Sequence, residues 1–467
     1  MTTTVLDPPG PVRLGRLPIG ALGVLALALG TLQSVVEPAL PLLQRELGVT
    51  PSQGALVANT LLVTGAVLTP VAGKLGDRYG GKRVLLRLMA LVSAGGLLAA
   101  LAPGLPVLLL GQLLQGAMVG ALPLSFILVR TRLPAHRSQA AVGVVVALFT
   151  GGGTVGTLVA GPIAEHLSWH WMFALPTIVV AAAAHVVART VPDDPPAASD
   201  DRIDWPGVLL LTGTLLAFMV GLVTVADGSL PPLAAGAVAV GVAGLAAGWV
   251  AVERRSAAPM VDLRLLARPA MVQAVLLTLV VTTAFGMVAF LVPQLFAVPG
   301  DGYGFAAGTT AIGLFLLPGA LAGAASDAVG GVAARWFGPR AVVVAGTVVT
   351  AATMTALAFR HSESWQLVLA KVLTAVAAGA ATTALLSGTV TAVPARDTGI
   401  ATSLLVVTRV IGVAVGAQLA AALLGAGADP VTGAPSESAF ATGFAVAGLT
   451  AALSLIVVRL TRKGARS

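Results

Sequence analysis

The chain contains no cysteine, and only 10% of its 467 residues are charged. Without thiols it can build neither a disulfide framework nor a thiolate metal or redox centre. Its five histidines are scattered without ligand spacing, so no metal site is expected. No glycine-rich phosphate loop and no nucleophile–base constellation occurs, which argues against an enzyme and against an ATP-driven pump within this chain. The scarcity of charge excludes most. A soluble domain carries about 25% charged residues because water must solvate its surface. This chain cannot cover itself that way, so its surface must face something other than water.

Apolar residues fill the gap: 57% of the chain is hydrophobic and the mean hydropathy is +0.95. They fall in about fourteen runs, the first near 17–42 and the last near 436–459. A helix of roughly 20 residues spans about 30 Å, the thickness of a bilayer's hydrocarbon core. The runs are continuous and do not alternate, which rules out a barrel. The expected fold is an all-α polytopic membrane protein. The first run is too long for a cleaved leader and reads as a retained span.

Orientation follows from the cations. Most of the 27 Lys and Arg fall in one alternating set of loops, including Arg13 and Arg16, Lys74 to Arg83, Arg254 to Arg268, Arg396, and Arg459 to Arg466. Arg45 and Arg360 fall on the other side, while Arg87, Lys371 and Arg409 lie within spans. Positive-inside logic places both termini in the cytoplasm and the chain in a cell (inner or plasma) membrane. The net charge of +8 then needs no nucleic-acid partner.

One loop is denser than orientation demands. "GKLGDRYGGKR", residues 73–83 between spans 2 and 3, holds five charged side chains and four glycines. The order Gly73-x-Leu75-x-Asp77-Arg78-x-Gly80-x-Lys82-Arg83 resembles the span 2–3 signature of the major facilitator superfamily. The resemblance implies a conformational latch in which Asp77 faces the start of span 13 near Thr398. Arg78, Lys82 and Arg83 would hold neighbouring acids or lipid phosphates. A carboxylate at the positive end of a helix gains about 0.3–1 kcal/mol. The bland alternative is a basic turn that merely obeys the positive-inside rule.

"GVAARWFGPR" (331–340) repeats the stretch weakly, aligning Gly331, Gly338 and Arg340 with Gly73, Gly80 and Lys82. "GQLLQGAMVG" (111–120) and "AKVLTAVAAG" (370–379) pair Gln112 with Lys371. Together with the topology these fit two pseudo-symmetric six-helix bundles around a central cavity. The expected organisation is 1–190, the N-terminal bundle; 191–204, an acidic, Pro-rich cytoplasmic linker; 205–252, an inserted helix pair; 253–270, a cytoplasmic connector with an amphipathic stretch; and 271–467, the C-terminal bundle.

"LLQGAMVGALPLS" resembles the span 4 signature of multidrug exporters, with Gln112 where an arginine is usual. Span 5 resembles the antiporter signature through Gly143, Gly152, Gly156 and Gly161, with Thr157 in place of a proline. With fourteen spans, the chain is similar to the fourteen-span drug:proton antiporter family. That resemblance implies alternating access, export of a small and hydrophobic organic compound, and a proton gradient in place of any cofactor. Lipid is the surrounding medium, and the monomer is the expected unit. The same resemblance leaves two rivals, a facilitator-type importer or uniporter and a non-transporting sensor or assembly subunit.

Span 5 also reads without the family. Gly152, Gly156 and Ala160 form one row and Gly153, Thr157 and Gly161 the next, a small-residue face for close helix approach. It is either static packing or a moving interface. Ionisable groups inside spans cost about 2.5–3.5 kcal/mol or more, so they mark transport chemistry. Glu37 is the one carboxylate placed well within an apolar run, and it is the expected proton-coupling group. A hydrated helix mouth beside Pro38 is its structural alternative. Gln33, Gln112, Gln115, Arg409 and Lys371 are the cavity or substrate candidates. Interhelical hydrogen bonding explains the glutamines, and Asn59, equally well. Lys371 could instead snorkel to the outer surface. Glu165 and His166 are weaker relay candidates expected to be solvated.

Overall fold

The computed structural model describes residues 16–132, 135–193, 204–226, 231–256, 266, 268–299, 302–393, 398–429 and 434–464. Most of the linker (194–203), much of the connector (257–265 and 267), Arg13 and Arg396 lie outside the described residues. Among the described residues, fourteen helices are long and apolar enough to cross a membrane. The one extended pairing among the described residues is a single bridge between Ala428 and Pro435. With fourteen such helices described, the first begins and the last ends on the same side, called here the termini side.

Two spans are interrupted, each for a local reason. Span 1 is two helices, Arg16–Ser34 and Val36–Leu47. Pro38 has no N–H to bond the carbonyl of Ser34, and its ring crowds that turn. The break gives the second segment its own N-terminus, with Glu37 in its first turn. There the partial positive charge of the free N–H groups favours a carboxylate. Span 4 runs Leu105–Gln115 and Ala121–Arg132 around a tighter 3₁₀ turn, Gly116–Gly120. Gly116 and Gly120 sit against span 2, where an added Cβ would lie 2.6 Å from Thr64 and from Ala72.

Spans 1 to 6 pack into one bundle. Span 2 is Pro51–Tyr79, span 3 Gly81–Ala100, span 5 Ala135–His166 and span 6 Trp169–Thr190. Spans 9 to 14 form a second bundle: Pro269–Ala297, Thr309–Phe337, Pro339–Phe359, Ser364–Ala392, Thr398–Ala426 and Glu437–Gly464. The two halves share a backbone device. Gly80 joins spans 2 and 3 at φ 91°, ψ 132°, and Gly338 joins spans 10 and 11 at φ 82°, ψ 145°. Side chains with a Cβ avoid that region, so glycine is required at both turns. These are the two positions that the weak sequence repeat aligns.

Span 7 (Trp205–Ala226) lies over the seam between the bundles. Its Val208, Leu211, Leu215 and Met219 pack with Val63 and Val67 of span 2 and Ala414 of span 13. Span 8 (Pro232–Arg255) packs on span 7 and is otherwise peripheral. Span 10 continues to Phe337, eight residues beyond the end of the apolar run.

Candidate transport cavity

The bundles touch each other mainly toward the side opposite the termini. Asn59 Nδ2 donates to the Ala414 carbonyl at 3.1 Å, and Gln418 Nε2 donates to the Ser52 carbonyl at 2.9 Å. Gln294 Nε2 donates to Gln44 Oε1 at 2.8 Å. All four of these side chains are buried, so each bond relieves a polar group that water cannot reach. Span 5 meets span 10 the same way: an added Cβ on Gly161 would lie 2.3 Å from the Thr310 backbone, and one on Gly313 2.4 Å from the Thr157 carbonyl. The mouth opposite the termini is therefore shut.

Below this seal lies a cavity of about 160 Å³. Phe285, Leu316, Ala320, Ala375 and Ala378 give it apolar walls, and Glu37, Asp327, Lys371 and Arg409 line it too. Lys371 Nζ bonds Glu37 Oε1 at 2.5 Å, joining span 12 to span 1 across the bundle boundary. The lysine side chain is 7% exposed and the glutamate 39%. The ammonium also stands 5.8 Å from the Phe285 ring centroid, a geometry in which the ring face attracts a cation. Lys371 thus does not snorkel outward, because its partner lies inward.

Asp327 corrects the expectation that Glu37 is the one carboxylate deep in a span. It lies ten residues before the end of span 10, opens into the cavity and interacts electrostatically with Arg409. Gly379 makes room for it: a Cβ there would lie 2.9 Å from the Asp327 carboxylate. The cavity therefore holds two carboxylates and two cations.

Gln112 and Gln115 need a different correction. Both are fully buried inside the N-terminal bundle, away from the cavity lining, and their amide atoms have no protein partner. Gln33 is half-buried and also lies off the cavity lining. A buried amide without partners costs about 1–3 kcal/mol. Gln115→Leu is accordingly expected to raise the thermal midpoint of the solubilised protein and to leave transport intact. A fall in transport with unchanged substrate-free stability would return Gln115 to the substrate path.

The small-residue face of span 5 divides. Gly152 and Gly156 pack within their own bundle, 2.0 Å and 2.5 Å (as added Cβ) from the carbonyls of Leu27 and Thr31. Thr157 and Gly161 face the other bundle. Gly143 meets nothing within 4 Å. Glu165, expected to be merely solvated, accepts bonds from Thr310 N at 3.0 Å and Thr310 Oγ1 at 2.5 Å.

At the termini side lie residues 73–83, the expected latch. Asp77, Arg78 and Arg83 are exposed, and no side chain among the described residues pairs with Asp77. The Thr398 side chain lies outside the described residues. Among the described residues, the hydrogen bonds and ion pairs that join the bundles lie toward the opposite side. Lys82 pairs instead with Asp193, just past span 6, at 2.9 Å. Gly73 has open space around it.

Comparison with known proteins places the chain. The family model of the Major Facilitator Superfamily matches residues 22–337. An uncharacterized MFS-type transporter of Mycobacterium tuberculosis, Rv1877, is 34% identical over 307 residues, 63% of this chain and 42% of that protein. The multidrug efflux pump LfrA of Mycolicibacterium smegmatis is 27% identical over 426 residues, 89% of this chain and 82% of that protein. The chain spans about half the length of several curated relatives it matches, between 42% and 50%. Among solved structures, the nucleoside transporter NupG superposes with a TM-score of 0.68 at 12% identity, covering 95% of this chain and 99% of that one. At that identity the likeness speaks for fold alone. Fourteen spans, a cavity between two bundles, and a family model that covers both residues 73–83 and span 10 lead to one conclusion: the chain is a multi-pass membrane protein that belongs to the Major Facilitator Superfamily.

Proposed function

We propose that this transporter exports a small, hydrophobic organic compound across the cell membrane in exchange for protons. The termini lie in the cytoplasm, and the present conformation is open inward. The observation that carries the reading is the Glu37–Lys371 ion pair, which crosses the bundle boundary at the cavity wall. A proton on Glu37 removes the attraction that ties span 1 to span 12, so the charge state of one carboxylate biases which mouth is open. Glu37 takes its proton from outside and gives it up inside, where the pair with Lys371 re-forms. Asp327 and Arg409 supply polar contacts for the compound, and the apolar walls supply its burial.

One proton moving down about 100 mV yields roughly 2.3 kcal/mol, and one pH unit adds about 1.4 kcal/mol. Together they support a gradient of several hundredfold for a neutral solute, so no ATPase or cofactor is required. We take the monomer as the working unit. LfrA, similar along most of the chain, is named as a multidrug efflux pump. The test is accumulation of fluorescent hydrophobic compounds in cells. Expression should lower accumulation of at least one compound, and a protonophore should restore it. Efflux that persists after the gradient is collapsed would contradict proton exchange.

A further inference from the structure

Span 10 begins without a cap of its own. Its N-cap residue is Gly308, which has no side chain to satisfy the first free N–H groups. Spans 2 and 12, also entering from the outer side, do carry capping boxes, Thr50 with Gln53 and Glu363 with Gln366. Such boxes satisfy two orphan donors locally. For span 10 the missing acceptor comes from the opposite bundle. Glu165 receives the Thr310 N–H and hydroxyl, and its Oε1 occupies the space a Gly308 Cβ would approach at 2.6 Å.

The placement of Glu165 continues a pattern. Thr157, Gly161 and Glu165 recur at every fourth residue, so they share one face of span 5. That face meets Gly313, Thr310 and Gly308 of span 10 in the same order. Thr157 and Gly161 let the backbones close, and Glu165 adds a charge-assisted bond at the rim.

We propose that Glu165 is a positioning residue of the transport cycle: its carboxylate caps span 10 across the bundle boundary and holds the outer mouth shut. When the outer mouth opens, the cap is lost and the N-terminus of span 10 must find water instead. This role is independent of Glu37, which lies on span 1 and pairs with a different helix. Glu165 is solvent-exposed, so solvent screens the interaction, and its loss should shift the open-to-closed ratio of the outer mouth about two- to fivefold.

The chain lacks cysteine, so thiols introduced at Leu167 and Gly302 give a clean spin-label pair across the outer mouth. In the full-length protein in lipid nanodiscs, Glu165→Ala should raise the outer-open population by that factor. A second substitution separates a latch from ordinary helix capping. Gly308→Ser in the Glu165→Ala background supplies a local cap to span 10 but nothing to span 5. It should leave the outer mouth as open as in Glu165→Ala alone. The proposal is overturned if Glu165→Ala matches the parent distribution, or if Gly308→Ser restores it. Thermal midpoints measured in parallel identify any variant that has not folded. In that event Thr310→Val, which removes the hydroxyl donor alone, must show the same direction of shift, and no shift overturns the proposal.

Discussion

Glu37→Gln is expected to abolish proton-coupled transport and to destabilise the protein more than Lys371→Met does. The asymmetry follows from burial. Removing one member of a buried ion pair leaves the other uncompensated, at a cost of about 3–5 kcal/mol when both are fully buried. Glu37 is 39% exposed, so screening reduces the cost to about 1–3 kcal/mol. Glu37→Gln strands a lysine that is 7% exposed, whereas Lys371→Met leaves a carboxylate that cavity water can hydrate. The double variant removes both charges and should recover the thermal midpoint lost by Glu37→Gln. It should not recover coupling, because no titrating group remains in the pair. Thermal unfolding of the three solubilised variants checks the order. Midpoints of both single variants equal to the parent's would mean that the pair contributes nothing in this conformation.

Gly161→Val should eliminate transport while the protein still folds and inserts. A Cβ at this position would lie 2.3 Å from the Thr310 backbone, and no flexible side chain is there to move aside. The clash falls between bundles, so the molecule can avoid it by keeping the outer mouth open. The expected outcome is a normal thermal midpoint, a label pair trapped at the outer-open distance, and transport reduced at least a hundredfold. Gly152→Val makes the contrast. Its Cβ would lie 2.0 Å from the Leu27 carbonyl inside one bundle, and overpacking of that kind costs about 1–3 kcal/mol or more. That variant should lose stability and expression. A Gly161→Val protein that transports normally would show that spans 5 and 10 need not close.

The sequence made the topology legible because a bilayer demands long apolar runs, and basic loops fix their order. The match of Gly338 to Gly80 was legible as a weak repeat, and the structure gives both a backbone that favours glycine. The cavity was legible in part. Glu37, Lys371 and Arg409 stand out as charges inside apolar runs, but nothing in the chain says that residues 37 and 371 meet. Such pairing depends on how two bundles face each other, which local patterns do not encode. Asp327 went unnoticed for a specific reason. The apolar run fades near 329, so the acid looks like a span end, yet the helix continues to Phe337 and carries Asp327 inward. Gln112 and Gln115 erred the other way, because polarity within a span marks a packed interior as readily as a substrate path. The motif at 73–83 was recognisable by pattern, but the partner expected for Asp77 near Thr398 falls on a side chain outside the described residues.

The most direct measurement uses everted membrane vesicles with a preset acid-inside pH gradient. On the present account, a transported compound collapses that gradient in vesicles carrying the parent protein, as protons leave in exchange for its entry. Vesicles carrying Glu37→Gln at equal expression show no collapse above the empty-membrane rate. A Glu37→Gln response equal to the parent's would contradict the account, because the proton would then cross by a route in which the Glu37–Lys371 pair plays no part.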